Sequence, residues 1–277
     1  MPRVFKSELR IVLAPSGIAL LRTHGWLRPH TELLAECELG TAESAAARLD
    51  ELLNTEACKA QPARIVLADH WARHWMVTPP ANAARLVDCE VAAQARFQAL
   101  YGEPLGEWQM SADWQARAPF LASALPRALL AALIEVCDKH ELLLLEIAPQ
   151  FVASWNRWRS GLRSGHWFGV LQDQWLTLGL STGRRLAELR SLQVPAEALA
   201  DPHWLRLTVE REAMRLMQAA PRGVQLCGGV PAAWLRGASE DWTCSQIEAP
   251  GEPDEPGEPS PSSGSGPLRL AAAVGWQ

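Results

Sequence analysis

The chain has 277 residues, of which 48% are hydrophobic and 21% charged, and its formal net charge is −5. It can bury a sizeable core, yet no apolar run reaches the ~18 residues that a membrane-spanning helix needs. The acidic balance argues against nucleic acid as the main partner. Six scattered cysteines without a CxxC pair argue against a disulfide framework, and the amino terminus lacks an apolar signal core. We therefore expect a cytoplasmic protein.

The first third of the chain opens with an antiparallel hairpin. Alternating apolar residues predict strands over residues 10–13 and 18–22, joined by a turn at Ala14-Pro15-Ser16-Gly17. A third strand (31–39), a helix that starts at residue 41, a buried strand (63–68) and a strand that ends before Pro79 (71–77) follow.

In the middle third, residues 83–101 predict a helix with an apolar side made of Leu86, Val91, Ala95, Phe97 and Leu100. Segments 107–114 and 116–122 predict a hairpin, and Pro126 introduces a helix over 127–140. The apolar run 142–147 is typical of a strand buried on both faces, and a helix over 150–161 follows it.

The last third begins with a predicted three-stranded meander over residues 166–194, with a first turn at Gln172-Asp173-Gln174. A helix over 203–219 is expected to face a core with Leu207, Met214 and Met217. A short strand at 223–226 then runs into Gly228-Gly229.

Two hairpins lie about half a chain apart, and each is followed by helical segments, which indicates a duplicated α/β unit. We expect a first half over residues 1–148 and a second half over 149–247. Segment 248–266 has five acids, no base and mostly Pro, Gly and Ser, so it predicts a disordered acidic loop. Residues 267–277 are apolar again and predict a closing helix.

A strand meander, helix, strand and helix, occurring twice, is the layout of the actin-like (ribonuclease H-like) ATPase fold. Within that fold the chain resembles PilM of type IV pilus assembly and the related MshI and GspL cytoplasmic domains. The resemblance is carried by segments 65–79, 88–90, 139–148, 207–216, 223–234 (GVQLCGGVPAAW) and 268–276. It implies an α/β protein with a duplicated actin-like fold and two mixed-sheet subdomains.

The resemblance also implies where a nucleotide would bind. In this fold two hairpin turns bracket the phosphates, and a Gly-Gly turn lets the backbone approach the base and ribose. The corresponding residues here are Ser16, Gly17, Asp173, Gly228 and Gly229.

Both phosphate turns depart from the family pattern. Ala14 stands where the family has an Asp that positions Mg²⁺, and Pro15 removes a backbone donor. The second turn, 172–174, lacks the Gly-x-x-Thr/Ser pattern, and bulky Trp175 follows it. We expect a vestigial site without hydrolysis and no bound cofactor, with MgATP binding as the alternative.

Other residue groups are explained more simply by structure than by chemistry. His70 and His74 have the spacing of a helical zinc pair, but their flanks predict a turn into a strand. Cys137 and Cys227 fall on predicted apolar faces and are interpreted as core residues. We expect no metal site and no catalytic residue.

The resemblance implies a non-catalytic scaffold, peripheral at the inner membrane, that binds the cytoplasmic segment of an inner-membrane pilus or secretion protein such as PilN. Trp108, Trp114 and Phe120 fall where the partner groove is expected, with core packing as the alternative for each. The alternative functions are an ATP-binding ATPase and an unrelated actin-fold interaction protein. A basic cluster (Arg157, Arg159, Arg163, Arg184, Arg185) predicts a solvated rim, with a basic face for nucleic acid as the alternative.

Overall fold

The computed structural model describes residues 7–25, 30–40, 44–55, 58–182 and 185–247. The strands are β1 (Ser7–Ala14), β2 (Gly17–His24), β3 (His30–Glu38), β4 (Pro62–Leu67), β5 (Arg73–Val77), β6 (Trp108–Ala112), β7 (Phe120–Pro126), β8 (Leu143–Pro149), β9 (His166–Gln172), β10 (Trp175–Thr182), β11 (Arg185–Gln193), β12 (Gly223–Gly228) and β13 (Thr243–Gln246). The α-helices are α1 (Ala45–Thr55), α2 (Leu86–Tyr101), α3 (Arg127–Lys139), α4 (Gln150–Trp158), α5 (Trp204–Arg215) and α6 (Ala232–Arg236).

Two five-stranded sheets repeat the same topology. The first has the order β3-β2-β1-β4-β8, and the second has the order β11-β10-β9-β12-β13. In each sheet the first three strands in chain order form an antiparallel meander, and the next two strands pair in parallel beside it. The predicted duplication of a mixed α/β unit is therefore confirmed.

The described chain divides into two compact units. The first holds residues 7–71 and Ala128–Ser154, and the second holds Ala72–Arg127 and Trp155–Ile247. Within the second unit, Ala72–Arg127 contribute a separate antiparallel sheet of order β5-β7-β6 with α2, which we call the inserted module. This grouping rests on contacts, so the boundary of the duplicated halves after residue 148 stays a prediction.

Apolar β-branched and leucine side chains make the centre of each large sheet. In the first unit, β1 and β2 are buried over most of their length because Ile, Val and Leu occupy both faces. In the second unit, β9, β10 and β12 share a core with α5 and α6, and Trp234 lies inside it, donating its indole N–H to the carbonyl oxygen of Ala198 at 2.9 Å. The inserted module packs Trp75, Phe97 and Phe120 into a core of its own.

The predicted burial of two elements is wrong. Strand β8 is an edge strand, and Leu143 and Leu145 are 48% and 37% exposed, because a strand at the end of a sheet has a neighbour on one side only. Helix α5 points Leu207 and Met214 to the surface, whereas its core side carries Leu205, Val209 and Ala213.

The apolar side predicted for α2 is also wrong in part. Its buried residues are Cys89, Ala93 and Phe97, whereas Leu86 and Val91 are exposed. Two small residues, Cys89 and Ala93, and one large ring, Phe97, therefore face the core of the inserted module.

The acidic loop 248–266, the closing helix 267–277 and Arg184 of the basic cluster lie outside the described residues. Among the described helices, none has the length and apolarity required to cross a bilayer.

Candidate functional site

The first turn, between β1 and β2, lies at the carboxyl end of the central strand of the first unit. Ala14 and Gly17 pair across it, and Ala14 is fully buried with no carboxylate to offer a metal. Pro15 supplies no N–H, and the carbonyl of Ser16 accepts a hydrogen bond from the amide of Leu39 at 3.2 Å. The Ser16 hydroxyl is buried and has no hydrogen-bond partner among the described residues. This turn presents one free hydroxyl.

A second polar position lies nearby in the same unit, where β8 passes into α4. Leu67 of β4 pairs with Pro149, so the segment after β4 lies beside the start of α4. Asp69 is 2% exposed, and its Oδ1 accepts a hydrogen bond from the amide of Phe151 at 2.9 Å, which satisfies a free N–H at the helix start.

Gln150, the first residue of α4, is fully buried, yet neither polar atom of its amide has a hydrogen-bond partner among the described residues. Such an orphan group costs ~1–3 kcal/mol unless water or a ligand satisfies it. Sequence reasoning missed Gln150. The sequence did contain a signal for it: a polar residue follows directly on Pro149, at the point where an apolar strand ends and a helix begins.

The second predicted phosphate turn, between β9 and β10, is an ordinary tight turn. Asp173 is exposed and has a φ of +53°, a left-handed conformation that Asp tolerates better than most residues. The carbonyl of Gln174 accepts a hydrogen bond from the amide of Val194 at 2.7 Å. The conformation accounts for an Asp at this position without a metal.

The Gly-Gly pair lies at the same edge of the second sheet as that turn. Gly228 pairs with Leu171, two residues before Asp173. Its φ is +94°, and a Cβ placed there would overlap the carbonyl oxygen of Leu171. The amide of Gly229 donates to that same oxygen at 3.0 Å. The close approach of β12 to β9 therefore explains Gly228, and the Gly229 N–H is already used within the protein.

These residues fit MgATP poorly. The structure brings Asp173 and Gly228 to one edge of the second sheet, and it places Ser16 and Gly17 in the first unit. No carboxylate stands at the first turn, and the donors of Pro15 and Gly229 are missing or engaged. We therefore derive no nucleotide hydrolysis from these residues.

The three predicted partner anchors lie in the inserted module. Trp108 and Phe120 are 8% and 2% exposed, and both belong to its core. Trp114 is half-buried and packs on Phe120 with ring centroids 5.7 Å apart. Burial of Trp108 and Phe120 favours the core alternative for those two, whereas Trp114 keeps accessible ring surface.

Beside Trp114 runs an edge strand, which the sequence did not reveal. β6 pairs with β7 on one side, and no described strand pairs with its other side. The amide of Asp113 donates to Leu121 at 3.0 Å, so by alternation the N–H groups of Met110 and Ala112 point outward. The inserted module thus offers backbone donors next to an aromatic ring.

The remaining candidates are structural. His74 lies in β5 with its Nδ1 2.8 Å from Ser123 Oγ, whereas His70 lies in a 3₁₀ turn, so the two do not share a helix. The described part of the chain holds no group of three or more His, Cys, Asp and Glu that could bind a metal. Cys137 and Cys227 are fully buried, as predicted, and burial raises the pKa of Cys137 to about 11.

Comparison with known proteins identifies the fold. No protein-family model matches the chain, and no curated protein matches it either. A Bacteroides thetaiotaomicron protein of unknown function with an actin-like ATPase fold aligns with a TM-score of 0.63 at 11% identity, over 87% of this chain and 91% of that one.

Two further solved structures come from a type IV pilus biogenesis complex and from a type II secretion system. A structure of the PilM–PilN type IV pilus biogenesis complex aligns with a TM-score of 0.60 at 15% identity, over 89% of each chain. The cytoplasmic domain of EpsL, an inner-membrane component of the type II secretion system of Vibrio cholerae, aligns with a TM-score of 0.54 at 12% identity, over 79% and 81%. The resemblance found in the sequence is confirmed at the level of the fold: the chain has an actin-like fold and aligns over most of its length with the PilM–PilN structure and with the cytoplasmic domain of EpsL.

Proposed function

We propose that the chain is a non-catalytic scaffold, peripheral at the cytoplasmic face of the inner membrane, which binds the cytoplasmic segment of an inner-membrane pilus or secretion protein. The observation that carries the proposal is the likeness to the structure of the PilM–PilN complex over 89% of both chains. The likeness to the cytoplasmic domain of EpsL supports the same class of assembly.

The two altered turns support the absence of catalysis. Ala14 cannot hold a metal, and Asp173 is accounted for by its left-handed turn. The Gly229 amide already donates to Leu171. These are the positions at which an ATPase of this fold would need free donors and a carboxylate.

The free edge of β6 supports strand addition as the docking mode. An extended segment of the partner would pair with the outward groups of Met110 and Ala112. Because side chains alternate along a strand, every second residue of that segment would lie on the face where Met110 and Trp114 pack. Trp114 would then be the aromatic anchor at the surface, with Trp108 and Phe120 supporting it from below.

Titration with a labelled peptide that spans the partner's cytoplasmic segment tests this function by fluorescence anisotropy. Ala112→Pro removes one outward N–H without removing a β6–β7 hydrogen bond, and it should weaken binding by about 2–10-fold. Trp114→Ala should weaken it by about 30-fold, which corresponds to ~2 kcal/mol.

Ser111→Ala is the matched control, because this exposed side chain projects from the opposite face of β6, and it should leave affinity unchanged. Equal affinity of the wild type, Ala112→Pro and Trp114→Ala would refute docking at this edge. If no pilus or secretion segment binds, the result would favour the second alternative function, an actin-fold interaction protein of unrelated role.

A nucleotide-binding role is the second candidate, and one observation favours it. The buried Gln150 amide and the buried Ser16 hydroxyl, both in the first unit, have no partner in the described part of the chain, so each has hydrogen-bonding capacity for a ligand or water. Thermal unfolding with MgATP discriminates between the two functions. A ligand at ~100 times its Kd stabilises by ~2.7 kcal/mol, so a rise of several degrees would favour this candidate.

A further inference from the structure

Several loops come together at one end of the strands of the second sheet, and we call this end the edge of that sheet. β9 starts at His166 and β12 starts at Gly223, and these two residues pair with each other. β10 runs antiparallel to β9, so its last residue, Thr182, lies at the same edge, where it pairs with Arg185 at the start of β11. The loops before β9 and β12 and the start of β11 therefore share one edge.

Four exposed arginines occupy this edge, and we call them the arginine edge: Arg159, Arg163, Arg185 and Arg222. Hydrogen bonds fix two of them at this edge: the amide of Arg222 donates to the carbonyl of Gly165 at 3.0 Å, and the amide of Arg163 donates to Gln225 Oε1 at 2.6 Å. Arg185 starts β11, and the amide of Arg159 donates to the carbonyl of Trp155 just after α4. None of the four guanidinium groups forms an ion pair with a residue of the described ranges. By contrast, Arg206 and Arg215 of α5 both pair with glutamates.

Negative charge is absent from the two stretches that form most of this edge. The sequence contains no Asp or Glu between Glu146 and Asp173, and none between Glu212 and Glu240. Glu240 and Asp241 come just before β13, at the opposite end of the strand order from β11. In a chain of net charge −5, the β9–β11 side of the edge therefore carries more positive than negative charge, since Glu188, three residues after Arg185 in β11, is the exposed acid nearest to it among the described residues of that side.

Exposed apolar side chains precede Arg222 in the chain. Met217 is 92% exposed in the short loop that leads from α5 to Arg222, and Met214 in the last turn of α5 is 71% exposed. Unbranched methionine side chains adapt to irregular apolar surroundings. They also provide no aromatic face on which nucleic-acid bases could stack.

From this combination we propose that the arginine edge binds the surface of an anionic lipid bilayer, with Met217 inserted at the headgroup boundary. Arginines near an anionic surface gain electrostatic free energy, and an adjacent apolar side chain adds burial. The proposal rests on the proposed location at the inner membrane but not on the partner segment, because it requires only the protein and lipid.

Cosedimentation of the full chain with vesicles tests the proposal. Vesicles of phosphatidylglycerol and phosphatidylcholine in equal parts should bind the protein at ~0.1 M salt, where the Debye length is ~10 Å. They should release it near ~1 M salt, where the Debye length is ~3 Å. Pure phosphatidylcholine should not bind it. The double variant R159Q/R163Q should weaken binding about 25-fold, or about fivefold for each charge removed.

Matched controls come from the inserted module, which has exposed arginines and an exposed apolar residue of its own. R96Q/R117Q removes the same charge elsewhere and should leave vesicle binding unchanged within twofold. Met217→Gln should weaken binding roughly tenfold, whereas Val91→Gln, at a residue 59% exposed on α2, should not.

Several results would overturn the proposal: no binding to the anionic vesicles, equal binding to both vesicle types, or equal losses in R159Q/R163Q and R96Q/R117Q. Binding of a single-stranded oligonucleotide that depends on Arg159 and outcompetes the vesicles would assign the edge to nucleic acid. A dimer of the wild type that Met217→Gln dissociates in sedimentation velocity would assign it to a second copy of this chain. If the vesicles fail and the peptide titration succeeds, this proposal falls and the scaffold function stands.

Discussion

Replacement of Gly228 with alanine separates a structural role for the Gly-Gly pair from a role in nucleotide binding. Gly228 ends β12 with a φ of +94°, and an alanine Cβ would overlap the carbonyl oxygen of Leu171 in β9. The variant must therefore push apart two central strands of the second sheet, or rotate the peptide and lose the hydrogen bond from the Gly229 amide to Leu171.

The magnitude follows from these two costs. A residue with a side chain held in a sparsely populated backbone conformation costs ~1–3 kcal/mol. Loss of one buried backbone hydrogen bond adds ~0.5–1.5 kcal/mol. We expect Gly228→Ala to lower the free energy of unfolding by about 3 kcal/mol. At ~2–4 °C for each kcal/mol in a domain of this size, the melting temperature should fall by about 6–12 °C.

Differential scanning calorimetry measures this fall, and Gly106→Ala is its matched control. A Cβ at Gly106 meets no atom within 4 Å, so that variant should stay within ~0.5 kcal/mol of the wild type. If Gly228→Ala melts within a degree of the wild type, the close approach of β12 to β9 is not what requires glycine. The Gly-Gly pair would then need a ligand to explain it.

Three further changes test the packing and the electrostatics. Trp75→Ala empties the centre of the inserted module, where Trp75 is 2% exposed, and should cost ~3–5 kcal/mol in chemical denaturation; a loss below ~1.5 would contradict that burial. Leu207→Ser, at a residue 60% exposed, should change the free energy of unfolding by less than ~0.5 kcal/mol. A loss above ~1.5 kcal/mol would indicate that Leu207 is a core residue. Hydrogen bonds from Lys139 and His140 lower the pKa of Asp50 below its ordinary 3.8. The ionised Asp50 therefore stabilises the folded protein above pH ~3.8, and this stabilisation is lost as the pH falls through the lowered pKa. Stability of the wild type should therefore converge on that of Asp50→Asn below pH ~3.8, and a constant difference across that window would refute this.

The strands were predictable from sequence because their side chains alternate and their turns carry turn residues. The hairpin β1–β2 and the meander β9–β11 both appear near the predicted positions. Strand β8 was found as a strand, but its burial was not predictable. Leu143 and Leu145 lie at the end of the sheet order, and a single sequence does not reveal that order.

Helix faces were less predictable where both sides carry apolar residues. The core side of α5 includes Thr208, Ala213 and the buried Glu212, whose carboxylate accepts a hydrogen bond from Arg215 at 2.8 Å. Leu207 and Met214 are large and apolar, so they determine the helical periodicity of hydrophobic residues in the sequence, yet both face solvent. Small and paired polar residues can fill a core as well as leucine does when the sheet lies close.

The candidate site was predictable only where turn chemistry is local. The substitutions at Ala14 and Pro15 and the tight turn at Asp173 could be read from residue type. The pairing of Gly228 with Leu171 and the burial of Gln150 depend on strands far apart in the chain, which a single sequence does not align.

Calorimetric titration of the full chain with the cytoplasmic segment of the proposed inner-membrane partner, alongside a titration with MgATP, separates a scaffold from a nucleotide-binding protein. We expect saturable binding of the segment that Trp114→Ala weakens and Ser111→Ala does not, and no heat of binding from MgATP. Saturable MgATP binding with no heat from the segment would contradict the scaffold and assign the fold to nucleotide binding.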